Sequence, residues 1–329
     1  MKKTKKLLAC LIAAATMFTM GSTAFAAEAG TPTTYKDQSQ VTIKKQYDLV
    51  GQGTSPAEDF KFTVEKTSVK DSAITDVKDM PNISVKDIHF DVNGAGATGN
   101  ISETIDLPNY SSVGVYTYTI TETPGETAGV TYDDKPVVLK VTVVDENGTL
   151  KRIVSLRKDG TKLGEDANTF TNTYSAGTLD ISKTVNGNLG DKNKYFEFKV
   201  TLTGVEGKSY GDSYTVTGGS VDAGNPTVIT IGKEETFKLK HGDTIHIANL
   251  PYGVTYTVTE KAVDGYTTEK SGDTGTVNAA DQEAAFTNTK TGEVDMGVNL
   301  TTLPYILVFA GVIVIAGAAF ITRRRKFED

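Results

Sequence analysis

The sequence predicts an all-β protein, two tandem Ig-like β-sandwich domains between an N-terminal signal peptide and a C-terminal transmembrane helix. The central region is rich in Thr, Val, Tyr and Gly and alternates apolar with polar residues, the period-2 pattern of half-buried strands. Two stretches of that region repeat one another at matched spacing, and each ends in the tetrapeptide FTNT, at Phe170–Thr173 and Phe286–Thr289. Both chain ends carry apolar runs beside basic residues.

In chain order, Met1–Ala26 holds four lysines, an apolar run from Leu7 to Met20 and the triplet Ala24-Phe25-Ala26. That is a secretory signal peptide, cut after Ala26. A lipoprotein cut at the LLAC of Leu7–Cys10 would leave almost no apolar run before it, so this reading is set aside. Cys10 is the only cysteine, so the mature chain is exported without disulfides. Cysteine nucleophiles, cysteine metal sites and cysteine thioesters are excluded with it.

Residues 27–38 read as a flexible N-terminal segment. A first domain spans 39–175 and a second 176–290, joined at the short YSAG of Tyr174–Gly177, which predicts an end-to-end pair of limited freedom. VVLKVTVVDENGTLKRIVSLRKDG reads as two strands around an Asn147-Gly148 turn, and YTVTGG, TFKLKHGDTIHIANL and VTYTVTEK read as strands as well. Residues 291–329 form a terminal region in which Tyr305–Thr322 is an uncharged apolar run of 18 residues. As a helix it would reach about 27 Å, enough to cross a bilayer. Arg323, Arg324, Arg325 and Lys326 follow and place the tail in the cytoplasm, with the two domains outside. The net charge is −7 overall and −13 for the ectodomain once the two basic ends are removed, which argues against nucleic acid or anionic lipid as a partner.

Strand parity then singles out six polar residues. Alternate residues of a strand share a face. Lys45 shares its face with Val41, Ile43 and Tyr47, and Lys183 with Leu179, Ile181 and Val185. Glu122 follows Tyr116, Tyr118 and Ile120, and Glu260 follows Val254, Tyr256 and Val258. Asn172 sits beside Phe170, and Asn288 beside Phe286. Each domain therefore turns one Lys, one Glu and one Asn toward its core, with 77 positions from Lys to Glu in both. A single such residue would read as an exposed strand end; the same three in the same order, twice, read as a site. Burial lowers the pKa of a Lys and raises that of a Glu. A neutral amine is a nucleophile, and a protonated carboxyl can shuttle the proton and polarise an amide. The product is a Lys–Asn isopeptide bond with loss of ammonia, formed once per domain as the fold holds the groups together.

From Val41 to Gly297 the chain resembles the major pilins of Gram-positive bacteria, closest to the two-domain streptococcal backbone pilins, on VTIKKQYDL, the TE pairs of YTYTITET and YTVTEK, and the two FTNT copies. The resemblance implies sandwich domains of CnaB type and bonds Lys45–Asn172 and Lys183–Asn288, with Glu122 and Glu260 assisting. It implies no enzyme, no cofactor and no metal. It also implies covalent polymerisation by a sortase, with copies of the chain, tip or minor pilins, and peptidoglycan or the membrane as partners. A Lys after Glu122 in the first domain would take the intersubunit linkage: Lys162 in GTK is the candidate and Lys158 the runner-up. The family's YPKN motif is absent, and GEVDMGV stands where a sorting motif such as EVPTG is expected, with Asp295 for Pro and Met296 for Thr. Cleavage would fall between Met296 and Gly297. The departure calls for a divergent sortase or leaves the subunit in the membrane.

The histidines His89, His241 and His246 do not form a metal pattern; His246 faces away from Ile245 and Ile247 as an exposed strand residue. DISKT at Asp180–Thr184 supplies only the polar face opposite Ile181 and Lys183. The competing reading is a surface adhesin or minor pilin that stays attached without polymerising.

Overall fold

A computed structural model describes residues 34–97, 99–158, 161–162 and 167–293. The signal peptide, the apolar run 305–322 and the Met296–Gly297 cleavage position lie outside the described residues, among which no helix is long and apolar enough to cross a membrane.

The described chain is all-β, as the alternation predicts. In the first domain the principal strands are β1 (Gln40–Gly51), β2 (Glu58–Lys70), β3 (Asn100–Asp106), β4 (Gly114–Thr123), β5 (Val137–Glu146), β6 (Thr149–Lys158) and β7 (Thr169–Asn186). The second domain adds β8 (Phe196–Thr203), β9 (Tyr214–Gly218), β10 (Glu234–Leu239), β11 (Thr244–Pro251), β12 (Thr255–Glu260) and β13 (Asp281–Thr289). One sheet runs through both domains in the order β9–β11–β7–β1–β3, with β13 also paired to β7. The facing layers are separate. A six-stranded sheet centred on β2–β4–β5–β6 covers the first domain, and a four-stranded sheet built on β10–β8–β12 covers the second. The β5–β6 hairpin turns at Asn147 and Gly148, both at positive φ (55° and 81°), as a two-residue hairpin turn requires.

Strand β7 carries the junction. It is 18 residues long, the last strand of the first domain and the first strand of the second. From Phe170 its buried residues fall at even positions through Ala176, and from Gly177 at odd positions. One face of the strand therefore serves the first core and the opposite face the second. At Gly177 the backbone of Ala279 comes so close that a Cβ would sit 2.2 Å from its carbonyl oxygen, so a larger residue would push β7 away from the segment that leads into β13. Side chains and loops close the joint: Asn249 exchanges two hydrogen bonds of 2.9 Å with the Thr54 backbone, and Gln52 donates to Ala280 O at 2.8 Å. The Tyr252 amide donates to Ser175 O at 2.9 Å. Each domain keeps its own apolar core, one around Tyr47, Phe60, Tyr118 and Phe170 and one around Phe198, Phe237, Ile247 and Phe286.

The described part of the segment expected to be flexible is strapped down. Asp37 accepts from the Arg152 guanidinium at 2.6 and 3.0 Å and from its backbone amide at 2.7 Å, and Arg152 also donates to the carbonyls of Leu107 and Pro108. The Arg152 side chain holds the Asp37 carboxyl down at about 2.

Candidate functional site

In each domain the first and last strands are parallel neighbours. β1 pairs with β7 so that Lys45 lies opposite Phe170 and Tyr47 opposite Asn172. β7 pairs with β13 in the same way, Lys183 opposite Phe286 and Val185 opposite Asn288. Lys and Asn thus share a face of one sheet, two positions apart in register. The Glu comes from the facing layer, Glu122 on β4 and Glu260 on β12.

The three side chains meet in both cores. Lys45 Nζ donates to Glu122 Oε2 at 2.6 Å, and Asn172 Nδ2 donates to Glu122 Oε1. Lys183 Nζ lies 3.0 and 2.8 Å from the two Glu260 oxygens, and Asn288 Nδ2 donates to Glu260 Oε1. Both lysine–glutamate pairs are shut off from solvent, the side chains being at most 3% exposed. Burial pushes the Lys45 amine down to about 8 against the pull of Glu122, and lowers Lys183 likewise. Burial also raises Glu122. Each shift moves the pair toward amine plus carboxylic acid, the form in which the Lys can attack.

Aromatic rings wall in the amines. Lys45 Nζ stands 4.3 Å from the Phe60 ring centroid and Lys183 Nζ 4.5 Å from that of Phe196. Two residues on, Phe62 packs against Phe170 and Phe198 against Phe286, each at 5.1 Å between centroids. The sequence reading missed these rings, yet a signal was there: FKFTV at Phe60–Val64 and FEFKV at Phe196–Val200 are a further copy of the internal repeat.

The remaining residues fall differently. Lys162 lies on the two-residue strand Thr161–Lys162, which pairs with the end of β6; its side chain is outside the described residues. Lys158 is engaged within its own domain, with Nζ on the Asp133 carboxylate, on Thr169 O at 2.6 Å and 5.1 Å from the Phe170 centroid. The runner-up for an intersubunit linkage thus has its ammonium held inside its own domain. His246 sits half-exposed and bonds Asp180 at 2.7 Å, and no cluster of His, Cys, Asp and Glu among the described residues has a metal-site arrangement.

Residues 41–175 match the family described as the Spy0128-like isopeptide containing domain, and residues 177–290 match a domain of unknown function, DUF7601. The curated protein named Pilin from Streptococcus pyogenes serotype M1 is 28% identical over 336 residues, covering 92% of this chain and 96% of that one. The Streptococcus pyogenes pilus tip adhesin Cpa is 33% identical over 115 residues, 35% of this chain and 15% of that one. Among solved structures, the major pilin of Streptococcus pyogenes aligns over 78% of this chain and 100% of its own at 24% identity, with a TM-score of 0.51. The T3.2 major pilin of the same species aligns at 23% identity over 78% and 99%, also at 0.51. The two-domain sandwich fold is thus shared with these pilins, and the resemblance read from the sequence is borne out by the family match and the full-length relative.

Proposed function

We propose that this chain is the backbone subunit of a cell-surface pilus, locked internally by two isopeptide bonds, Lys45–Asn172 and Lys183–Asn288, and joined to its neighbours by a sortase. The observation that carries the reading is the recurrence of one solvent-free Lys–Glu–Asn triad in two cores, each bridging the first and last strands of its domain. A buried ion pair adds little stability on its own. Two such pairs, each with an Asn amide on the same carboxylate, make sense as reactants.

In each triad a proton passes from the Lys ammonium to the Glu carboxylate. The freed amine attacks Cγ of the Asn, and the Nζ–Cγ bond forms as the Cγ–Nδ2 bond breaks. The Glu proton goes to the departing nitrogen and the second amine proton returns to the Glu, so one ammonia leaves and the carboxylic acid is regenerated. The reaction turns over once, so the chain is a structural protein and not an enzyme. Load entering on β1 crosses to β7 through the first bond, and from β7 to β13 through the second, without shearing the ladders between them.

Polymerisation would use Lys162 as acceptor and Met296–Gly297 as the sortase cleavage position, from a precursor held by the 305–322 helix with its ectodomain outside the cell. The intact mass of residues 27–296 tests the cross-links. The wild type is expected to be two ammonia molecules lighter than its sequence, and the Glu122→Ala/Glu260→Ala chain to match its sequence; a wild type of plain sequence mass would leave the triads as packing motifs. The local likeness to a tip adhesin favours a second reading, an attached adhesin or minor pilin. Ladders of covalent high-mass species that vanish on Lys162→Ala support the backbone; monomeric surface protein unaffected by Lys162→Ala supports the adhesin.

A further inference from the structure

The two triads differ at the carbonyl that is attacked. In the first domain the Asp133 backbone amide donates to Asn172 Oδ1 at 2.8 Å. In the second, Asn288 Oδ1 is buried and has no donor among the described residues. The Asp133 amide is held in place by its own side chain. Oδ1 accepts from the Lys135 amide at 3.0 Å, an Asx turn, and Oδ2 accepts from the Thr171 amide at 2.8 Å and from Lys158 Nζ. Lys158, at the end of β6, also bonds Thr169 O at 2.6 Å, so the loop is clamped to β7 on both sides of Phe170. Two elements distant in sequence thus converge to aim one N–H at one oxygen.

We infer that the Asp133 backbone amide is an oxyanion donor for the Lys45–Asn172 reaction, with the Asp133 and Lys158 side chains as positioning residues that hold it there. This rests on the isopeptide reading above. When the Lys45 amine attacks Cγ, the C=O π pair moves onto Asn172 Oδ1, and a donor already 2.8 Å away stabilises that charge in a dry core. The charge returns to the carbonyl as the Cγ–Nδ2 bond breaks, and the amide N–H never leaves Asp133. Lys158 has a second effect. The charged groups facing the Lys45 amine are Glu122 on β4, Asp133 in the loop and Lys158 on β6, and of these only the Lys158 cation disfavours protonation of Lys45.

The second domain serves as a clock within the same chain. Full-length ectodomain is made by cell-free synthesis, quenched in acid at intervals, and the two cross-linked peptides are quantified by mass spectrometry across pH. Asp133→Ala is expected to slow the Lys45–Asn172 bond roughly 10- to 100-fold, a fraction of what loss of an oxyanion donor costs, and to leave Lys183–Asn288 unchanged. Asp133→Asn, which keeps an Asx acceptor, is expected to recover most of that rate. Lys158→Met is expected to move the pH–rate profile of the first bond to higher pH. Wild-type kinetics in Asp133→Ala, or equal slowing of both bonds, overturns the assignment. Equally, a Lys158→Met profile lowered at every pH without displacement reduces Lys158 to a purely structural role and overturns its part. Absence of both bonds in the wild type would remove the isopeptide reading itself, a result distinct from either.

Discussion

The two domains build the same trap and arm it differently. Both place Lys and Glu 77 positions apart, both set a Phe over the amine, and both pack a second Phe against the FTNT ring at 5.1 Å. They part company between Glu and Asn, where the first domain has 50 positions and the second 28. The longer stretch carries the Asp133 loop, the β5–β6 hairpin, Lys158 and Lys162. What recurs is therefore the part that makes an amine nucleophilic: burial, a carboxyl partner and an aromatic wall. The donor to the carbonyl and the lysine proposed for polymerisation both lie in this longer stretch of the first domain.

The comparison breaks most readily at the glutamates. Glu122→Ala is expected to abolish the Lys45–Asn172 bond alone, and Glu260→Ala the Lys183–Asn288 bond alone. The loops closed are 127 and 105 residues, so each loss should cost its domain about 5 kcal/mol by chain entropy. Peptide mapping with thermal unfolding checks this, and loss of both bonds from one substitution would show that the domains do not react independently.

Next in size is a pH effect visible only in an unreacted domain. In Asn172→Ala the Lys45 amine stays buried and free, with its pKa lowered by burial from 10.5 to about 8. Between those values the unfolded chain binds the proton and the folded chain does not, so stability rises with pH through that window and the burial penalty is fully present below it. Measured from pH 8 to 10, Asn172→Ala should gain up to ~10-fold in its folding constant per pH unit over Lys45→Met/Asn172→Ala. Parallel curves for the two chains would mean that Lys45 is not desolvated.

Smaller effects separate the domains at their edges. Arg152→Ala is expected to free residues 34–38 and cost the first domain about 1–2 kcal/mol, the loss of a bidentate, partly buried pair, with the second domain's unfolding midpoint unmoved. Limited proteolysis at Lys36 reads the release directly. His246→Ala, which breaks only the half-exposed pair with Asp180, should change stability by less than about 0.5 kcal/mol in denaturant titration.

Much of the site was legible without coordinates because its logic is local. A strand has period two whatever surrounds it, so a Lys at the parity of Ile43 and Tyr47, or an Asn at the parity of Phe170, must face the core once those neighbours do. Positive φ at Asn147 and Gly148 follows from the residue types that tolerate it, and the hairpin was readable for that reason. The FxFxV repeat was equally open to inspection and was passed over because Phe in a strand reads as ordinary core.

Other features had no local signature. Nothing in YSAG says that β7 runs unbroken through the joint, because any short polar-apolar stretch can be strand or turn until Ala279 and Ala280 close on Gly177. Lys158 and Lys162 look alike in sequence; packing alone puts the first on Asp133 and Thr169. The Asp133 amide is the clearest case. Every residue but proline carries an N–H, and only the tertiary fold decides which one is brought against a carbonyl 39 positions away. The sequence by itself determined which side chains enter each core and what chemistry they can do there. The tertiary structure decided which backbone groups meet them, because a backbone amide has no side chain to betray its role and acquires one only by where packing puts it.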